Sequence, residues 1–519
     1  MTPSTKRKVV VVLFAWFVLL GGAVMAYKYW WAPKQEQAAK QEEEKRHQDL
    51  IQSTSAAARY DWEMNVAADG FSGYSVLRSR NMSDLLVNDY NGKLNIYDDG
   101  ADYPARLERL RKGDVDMAVF TWDALIKTSS QMGDTPAVIV ALIDETKGAD
   151  AIVANKKTFP NIDAMNDPDV KFVCVPDSPS ETLVRVVMAY FNLDKLAANP
   201  FEFKSSPDEV YAEYQKCKPG DKKVFVLWEP YVSKMAQNPD FHSVVGSDKV
   251  KGYIVDVIVV RREYLAQHED RVESFVKCYL SSVFKYRDKA DMIGLVMSDA
   301  KQTGAPLRQD QAEQLVNGIW WKNTQENFGH FGIVSGSGLQ HMDQIGTNIT
   351  SVLLKTGAIP KDPTNDRPNL LYYDGIVRKL FDTSWHPGFG TESIRKEASL
   401  RNLSEAEWQN LRPVGTLSVP RLVFARGTSR LNDSSMETLK LLADKLNTWP
   451  QYYLMVKGHS AKSNDPEVDA ANMAIAKQRA DSAVEWLVQN GIDRNRIHAV
   501  ADQPNGSTTV AFVLGELPY

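Results

Sequence analysis

The hydrophobic pattern is densest at the start of the chain. Lys6, Arg7 and Lys8 precede an uncharged run from Val9 to Ala26, which is followed by Tyr27-Lys28-Tyr29-Trp30-Trp31. Roughly 18 or more apolar residues suffice for a spanning helix. Basic residues before such a span hold the N-terminus in the cytoplasm, and a Tyr/Trp group suits the opposite interface. Val24-Met25-Ala26 also has the small-residue character of a cleavage site, so a retained anchor over 1–32 and a cleaved signal peptide are both open. Both export everything that follows. Residues 33–59 are polar and charge-dense, with Glu36 and Lys40, and Glu42 and Arg46, spaced as favourable helical pairs. This pattern predicts a solvated helical stalk or a disordered spacer.

From Asp61 the pattern changes to short apolar runs alternating with amphipathic stretches. Lys93–Tyr97, Met117–Phe120, Ala137–Leu142, Lys171–Val175, Val224–Leu227 and Val255–Val260 have the length and β-branched content of strands. Pro104–Lys112 and Ser180–Phe191 read as helices between them. Such alternation predicts α/β architecture with largely parallel sheets. Ligands in those sheets bind beyond the carboxyl ends of strands. After Glu263 the pattern is helical to about Phe381, and 386–413 reads as a linker. A compact α+β unit over 414–519 follows, with a strand-like LSVPRLVFA segment, two helices (Ser434–Leu446 and Ala470–Asn490), a strand at Tyr452–Val456 and terminal strands.

Composition narrows the function classes. In 519 residues, 61 Lys and Arg against 66 Asp and Glu give a net charge of -5, with no basic footprint for nucleic acid. Three cysteines (Cys174, Cys217, Cys278) make no disulfide framework, and none has the spacing of a structural zinc site. No GxSxG, phosphate-loop or HExxH signature occurs, so neither an enzyme nor a cofactor or metal is expected.

Three stretches carry a family likeness. They are Asp69-Gly-Phe-Ser-Gly-Tyr74, then Leu107–Ala124 (LERLRKGDVDMAVFTWDA), and then Lys147–Val153 followed by Val175–Glu181 and Trp228-Glu229-Pro230-Tyr231. Together they resemble periplasmic solute-binding proteins of the nitrate, sulfonate and taurine class, which have the type II two-lobed fold. The resemblance implies a two-lobed domain over 60–385 with the second lobe at about 151–254. It also implies a cleft lined by Gly73, Tyr74, Thr121, Trp122, Ser178, Ser180 and Trp228. Ser178 or Ser180 can cap the helix after Pro176, and Pro179 suits its first turn. Asp123 reads as a cap of its own helix. Glu229 and Asp69 are the acidic candidates, and if both face the cleft an ammonium-bearing solute fits better than an anion.

Residues 414–519 resemble the OmpA-like peptidoglycan-binding domain. The likeness rests on Leu422-Val-Phe-Ala425, Lys457-Gly-His-Ser460, Asn472, Arg479-Ala480 and Asn490-Gly-Ile492. The resemblance implies that Arg479 grips the peptide stem, with Asn472 beside it. The position of the family's aspartate is Ala461, and Asp465 or Asp469 from the longer loop can substitute. The alternative role of Arg479 is a surface pair with Asp481 or Glu485.

These readings imply a single-pass bacterial inner-membrane protein with its bulk in the periplasm. Its implied partners are a small solute (sulfonate, nitrate or amine-like), peptidoglycan and an ABC permease or a signalling partner. The competing expectation is a structural tether from membrane to wall with a vestigial binding domain.

Overall fold

The computed structural model describes residues 60–388, 392–395, 400–425, 427–502 and 508–518. The anchor and stalk expectations fall on residues 1–59, outside the described residues. Among the described residues no helix is long and apolar enough to cross a membrane.

Residues 60–63 and 91–95 form a small unit in which Asn95 Nδ2 donates to Glu63 Oε2 at 2.8 Å. The rest divides by sheet. The first lobe contains β1 (Trp62–Ala68), β2 (Gly92–Asp98), β3 (Met117–Thr121), β4 (Ala137–Thr146) and the later strand β10 (Val255–Arg261). β1 pairs in parallel with β3, whereas β10 runs antiparallel to both β3 and β4. The second lobe is built on β5 (Asp150–Asn155), β6 (Lys171–Cys174), β7 (Phe201–Phe203), β8 (Lys223–Trp228) and β9 (Phe241–Gly246), in the order β7-β6-β8-β5-β9. β6 is parallel to β7 and β8, but β5 is antiparallel to β8 and β9. Both sheets are therefore mixed, where alternation alone predicts largely parallel ones. The reason is the double crossing: the chain leaves the first lobe through β4 into β5 and returns through β9 into β10, so the returning strand runs backwards. A further short strand, β11 (Ile319–Trp321), lies antiparallel on β4.

Five helices position the cleft. α1 (Tyr103–Lys112) is capped by Asp102, which accepts from Ala105 N at 3.0 Å, and ends on Gly113 at φ +82°, a conformation glycine adopts without a Cβ penalty. α2 (Trp122–Met132) follows β3 directly, and α3 (Pro179–Tyr190) follows β6. α4 (Glu269–Lys285) belongs to the helical region after the return crossing, as does α5 (Met342–Lys355). All ten residues of β4 are buried, as expected of a strand covered on both faces.

The C-terminal sheet has the order β12-β15-β13-β14, with β12 (Arg412–Thr416), β13 (Tyr453–Gly458), β14 (Ile497–Ala501) and β15 (Val510–Glu516). Its helices are α6 (Asp433–Leu446) and α7 (Pro466–Gln489). Two expectations are corrected here. The first strand is Arg412–Thr416 rather than LSVPRLVFA: Leu417 N still donates to Phe512 O, but Pro420, which has no N–H, lies just beyond. The linker is also shorter than 386–413, because Leu403, Trp408 and Leu411 pack with Tyr453, Met455 and Val513 in the C-terminal core.

This sheet docks on the second lobe. Ile162 N donates to Val414 O at 2.8 Å, Asn192 N to Thr416 O at 3.0 Å and Ser418 N to Tyr190 O at 2.8 Å. Gly415 sits where a Cβ would approach the Phe191 ring to 2.7 Å, and Trp449 meets that ring edge-on at 5.0 Å.

Candidate functional site

The loop after β1 enters a short 3-10 turn, Ser72–Ser75, whose residues are all buried. Asp69 faces Arg106 rather than open space: Oδ1 accepts from Phe71 N at 3.0 Å and Oδ2 from Arg106 Nη2 at 3.1 Å. Gly73 O accepts from Trp321 Nε1 at 2.8 Å, and a Cβ on Gly73 would meet the Phe71 ring. Tyr74 donates its hydroxyl to Asp256 Oδ1 at 2.8 Å.

Thr121 ends β3, and Trp122 opens α2 fully buried, with its six-membered ring near Gly346 of α5. Asp123 does not cap α2. The position before the helix is Thr121, and Asp123 instead accepts from the Thr182 hydroxyl of the second lobe. Burial raises the Asp123 carboxyl, and the Thr182 donor opposes that rise. Ser178 stands at the N-cap of α3, yet its hydroxyl donates to Val175 O at 2.7 Å and makes no cap. Glu181, in the first turn of α3, accepts from Asp177 N at 2.7 Å, outside the helix. The Ser180 hydroxyl is fully buried with no hydrogen-bond partner. Trp228 ends β8 opposite Asp150, and Glu229 accepts from the Ser233 hydroxyl at 2.8 Å. Burial raises the Glu229 carboxyl against that donor.

Several of these groups bridge the lobes. Besides Asp123 and Thr182, Lys127 of α2 reaches Glu181 of α3, Arg185 Nη1 donates to Thr356 O at 2.9 Å, and Ser233 meets Gln314 at 2.7 Å. These contacts join the two lobes across the cleft.

Three acidic residues at the crossings were absent from the sequence expectations. Asp144 lies in β4, Asp256 in β10 and Asp150 at the start of β5, all nearly inaccessible. In the strand register Asp256 stands opposite both Thr121 and Asp144, and Asp144 opposite Trp321. Directly opposed residues share a sheet face, so a row of polar groups crosses four strands. Burial, and then the charge of Asp256, raises the Asp144 carboxyl well above the usual range. Burial likewise raises Asp256, against donation by Tyr74. Asp150 is pushed up to about 8, by burial first and the charge of Asp256 next. Burial acts to raise Glu145 too, but Lys322 and Lys147 outweigh it and hold that carboxylate well below its usual range. The visible signal was a charge inside an apolar run: Asp256 interrupts Val255–Val260.

In the C-terminal domain Arg479 pairs with neither Asp481 nor Glu485, which bind Lys477 and Arg494. Its Nε donates to Thr428 O at 2.9 Å, and its guanidinium lies 5.0 Å from the centre of the Phe424 ring. Asn472 reaches Ala461 O at 3.5 Å. Asp465 caps α7 by accepting from Glu467 N at 2.9 Å, and Asp469 accepts from Ser463 N at 2.6 Å. The lengthened loop is thus closed by its own carboxylates. Among the described residues no cluster of His, Cys, Asp and Glu could hold a metal ion.

The lobes are similar to the periplasmic aliphatic sulphonate binding protein SsuA from Escherichia coli, at 14% identity over 61% of this chain and 98% of that one, with a TM-score of 0.46. They are also similar to the nitrate-binding protein NrtA from Synechocystis, at 10% identity over 62% of this chain and 88% of that one, with a TM-score of 0.43. The peptidoglycan-associated lipoprotein of Brucella melitensis is 26% identical over 81 residues, 16% of this chain and 46% of that protein. The chain spans about half the length of the curated relatives it matches. Residues 423–509 match the OmpA family.

Proposed function

We propose that this chain is an envelope receptor that captures a small polar solute between its two lobes and holds peptidoglycan through its C-terminal domain. The observation that carries this reading is the pair of crossings, β4 to β5 and β9 to β10, joining two lobes whose facing side chains bridge the cleft. Two strands crossing at one edge make a hinge, and contacts formed only on closure let a ligand bias it. The sulfonate, nitrate and amine classes are the candidate solutes. In this reading residues 9–26 anchor the chain in the inner membrane, the rest lies in the periplasm, and the solute passes to an ABC permease or its capture signals to a partner. The chemistry is binding, with no reaction.

A thermal-shift screen of the full-length chain tests it, because a ligand raises stability by RT ln(1+[L]/Kd). At a hundred times Kd the gain is about 2.7 kcal/mol. No shift across amino acids, sulfonates, polyamines and nitrate would favour the structural tether instead.

A further inference from the structure

We propose that the solute held between the lobes is a cation, an ammonium- or guanidinium-bearing molecule, received by Asp144 and Asp256 with Asp150 beside them. This rests on the receptor reading above and narrows it to one charge class.

The argument begins with the register. Asp144 and Asp256 are directly opposed on neighbouring antiparallel strands, where like charges repel at close range. A fold that only needed to close its hinge would place apolar or complementary residues there. Both carboxyls are buried, Asp144 completely. Tyr74 supplies one donor to Asp256, but no hydrogen-bond donor reaches either oxygen of Asp144. A second, separate group points at the same place. The Tyr279 hydroxyl of α4 is buried without a partner, and the charges of Asp144 and Asp256 act on it. A buried polar group without a partner costs about 1–3 kcal/mol, and here several converge.

The balance of charge sets the sign of the ligand. The basic groups around this region are already engaged by other carboxylates. Arg106 is held by Asp69 and Asp99, Lys322 and Lys147 by Glu145, and Lys127 by Glu181. A sulfonate or nitrate at the crossings would meet carboxylates and no uncommitted cation among the described residues. An ammonium group would give Asp144 the donor it lacks. Without a ligand, burial and then the neighbouring charge of Asp256 favour the protonated form of Asp144. Binding a cation therefore displaces a proton to solvent.

The test is calorimetric titration of the full-length chain in detergent at pH 8. One arm uses putrescine, spermidine, agmatine, lysine and choline, and the other taurine, methanesulfonate and nitrate. The expected result is that a cationic solute binds and that Asp144→Asn and Asp256→Asn each weaken it by about tenfold or more, a change of about 1.4 kcal/mol. Binding by an anion alone overturns the proposal and leaves the receptor intact, whereas silence from the whole panel overturns both. A cation that binds both variants as well as the parent overturns the assignment of site. Should either variant fail to fold, titration of the parent in two buffers of different ionisation enthalpy decides: proton release on cation binding supports the site, and its absence overturns it.

Discussion

Lys127 in the first lobe holds Glu181 in the second through both carboxylate oxygens, each 3.1 Å from Nζ. Glu181 keeps other donors, Arg185 Nε at 2.7 Å and Asp177 N at 2.7 Å. Removing Lys127 therefore breaks a contact between lobes without leaving a buried charge alone. Lys127→Met is expected to cost about 1–2 kcal/mol of closure. Small-angle scattering should show a larger radius of gyration for the variant than for the parent. Identical profiles would remove this bridge from the closing mechanism.

Asp150 makes stability depend on pH with a defined sign. Its carboxyl is pushed up to about 8 in the fold, by burial first and then by Asp256, whereas in an unfolded chain an aspartate titrates near 4. The native state keeps a proton that the unfolded chain has lost. Its stabilising contribution is complete below about pH 4 and disappears as pH rises through about 8. Relative to Asp150→Asn, the parent should lose stability between pH 5 and 8.5, at roughly 2–4 °C in Tm per kcal/mol. Parallel melting curves for parent and variant at both pH values would show that Asp150 titrates normally.

The join between the second lobe and the C-terminal domain rests on Phe191, buried under Trp449 and Gly415. Phe191→Ala is expected to cost about 3 kcal/mol. Differential scanning calorimetry should then resolve the C-terminal domain as a separate transition. A single unshifted transition would mean that the backbone bonds at Val414 and Thr416 suffice.

Gly458, in the Lys-Gly-His-Ser turn, has a backbone reason to be glycine. A Cβ there would lie 2.1 Å from the carbonyl oxygen of Ala476, so β13 and α7 would have to part. Gly458→Ala should destabilise by about 1–3 kcal/mol. Gly294→Ala is the control, as its helical site has nothing within 4 Å and should gain about 0.5–1 kcal/mol. The two melting temperatures should move in opposite directions.

Arg479 keeps peptidoglycan binding open to a direct assay. Its guanidinium is exposed while its Nε holds Thr428 O, so Arg479→Ala should lose retention on purified sacculi with less than about 1 kcal/mol lost in stability. Full retention by a folded variant would restrict the arginine to its local contacts.

Much of the fold is written in local pattern, and the acidic core of the cleft is not. Val255–Val260 reads as a strand because β-branched residues fill every position but Asp256, and the α1 boundary is legible from Asp102 and Gly113. The β4 expectation stops at Leu142, four residues early. Asp144-Glu145-Thr146 has the composition of a turn, and what buries it comes from Asp256 and Lys322, each more than a hundred residues away. Asp123 fails as a cap for the same reason, since its partner Thr182 lies on another lobe. Resemblance named the loops that line the cleft but passed over the strands beneath them.

The docking of β12 on the second lobe has a mechanical consequence. Ser418, Thr416 and Val414 are bonded to residues of that lobe, and Lys251 N donates to Thr448 O just before the return crossing. A turn of the second lobe about its two crossings must swing the C-terminal domain with it, as an arm moves with its shoulder. A receptor built this way would convert the arrival of a solute into a tug on whatever its far end is fastened to.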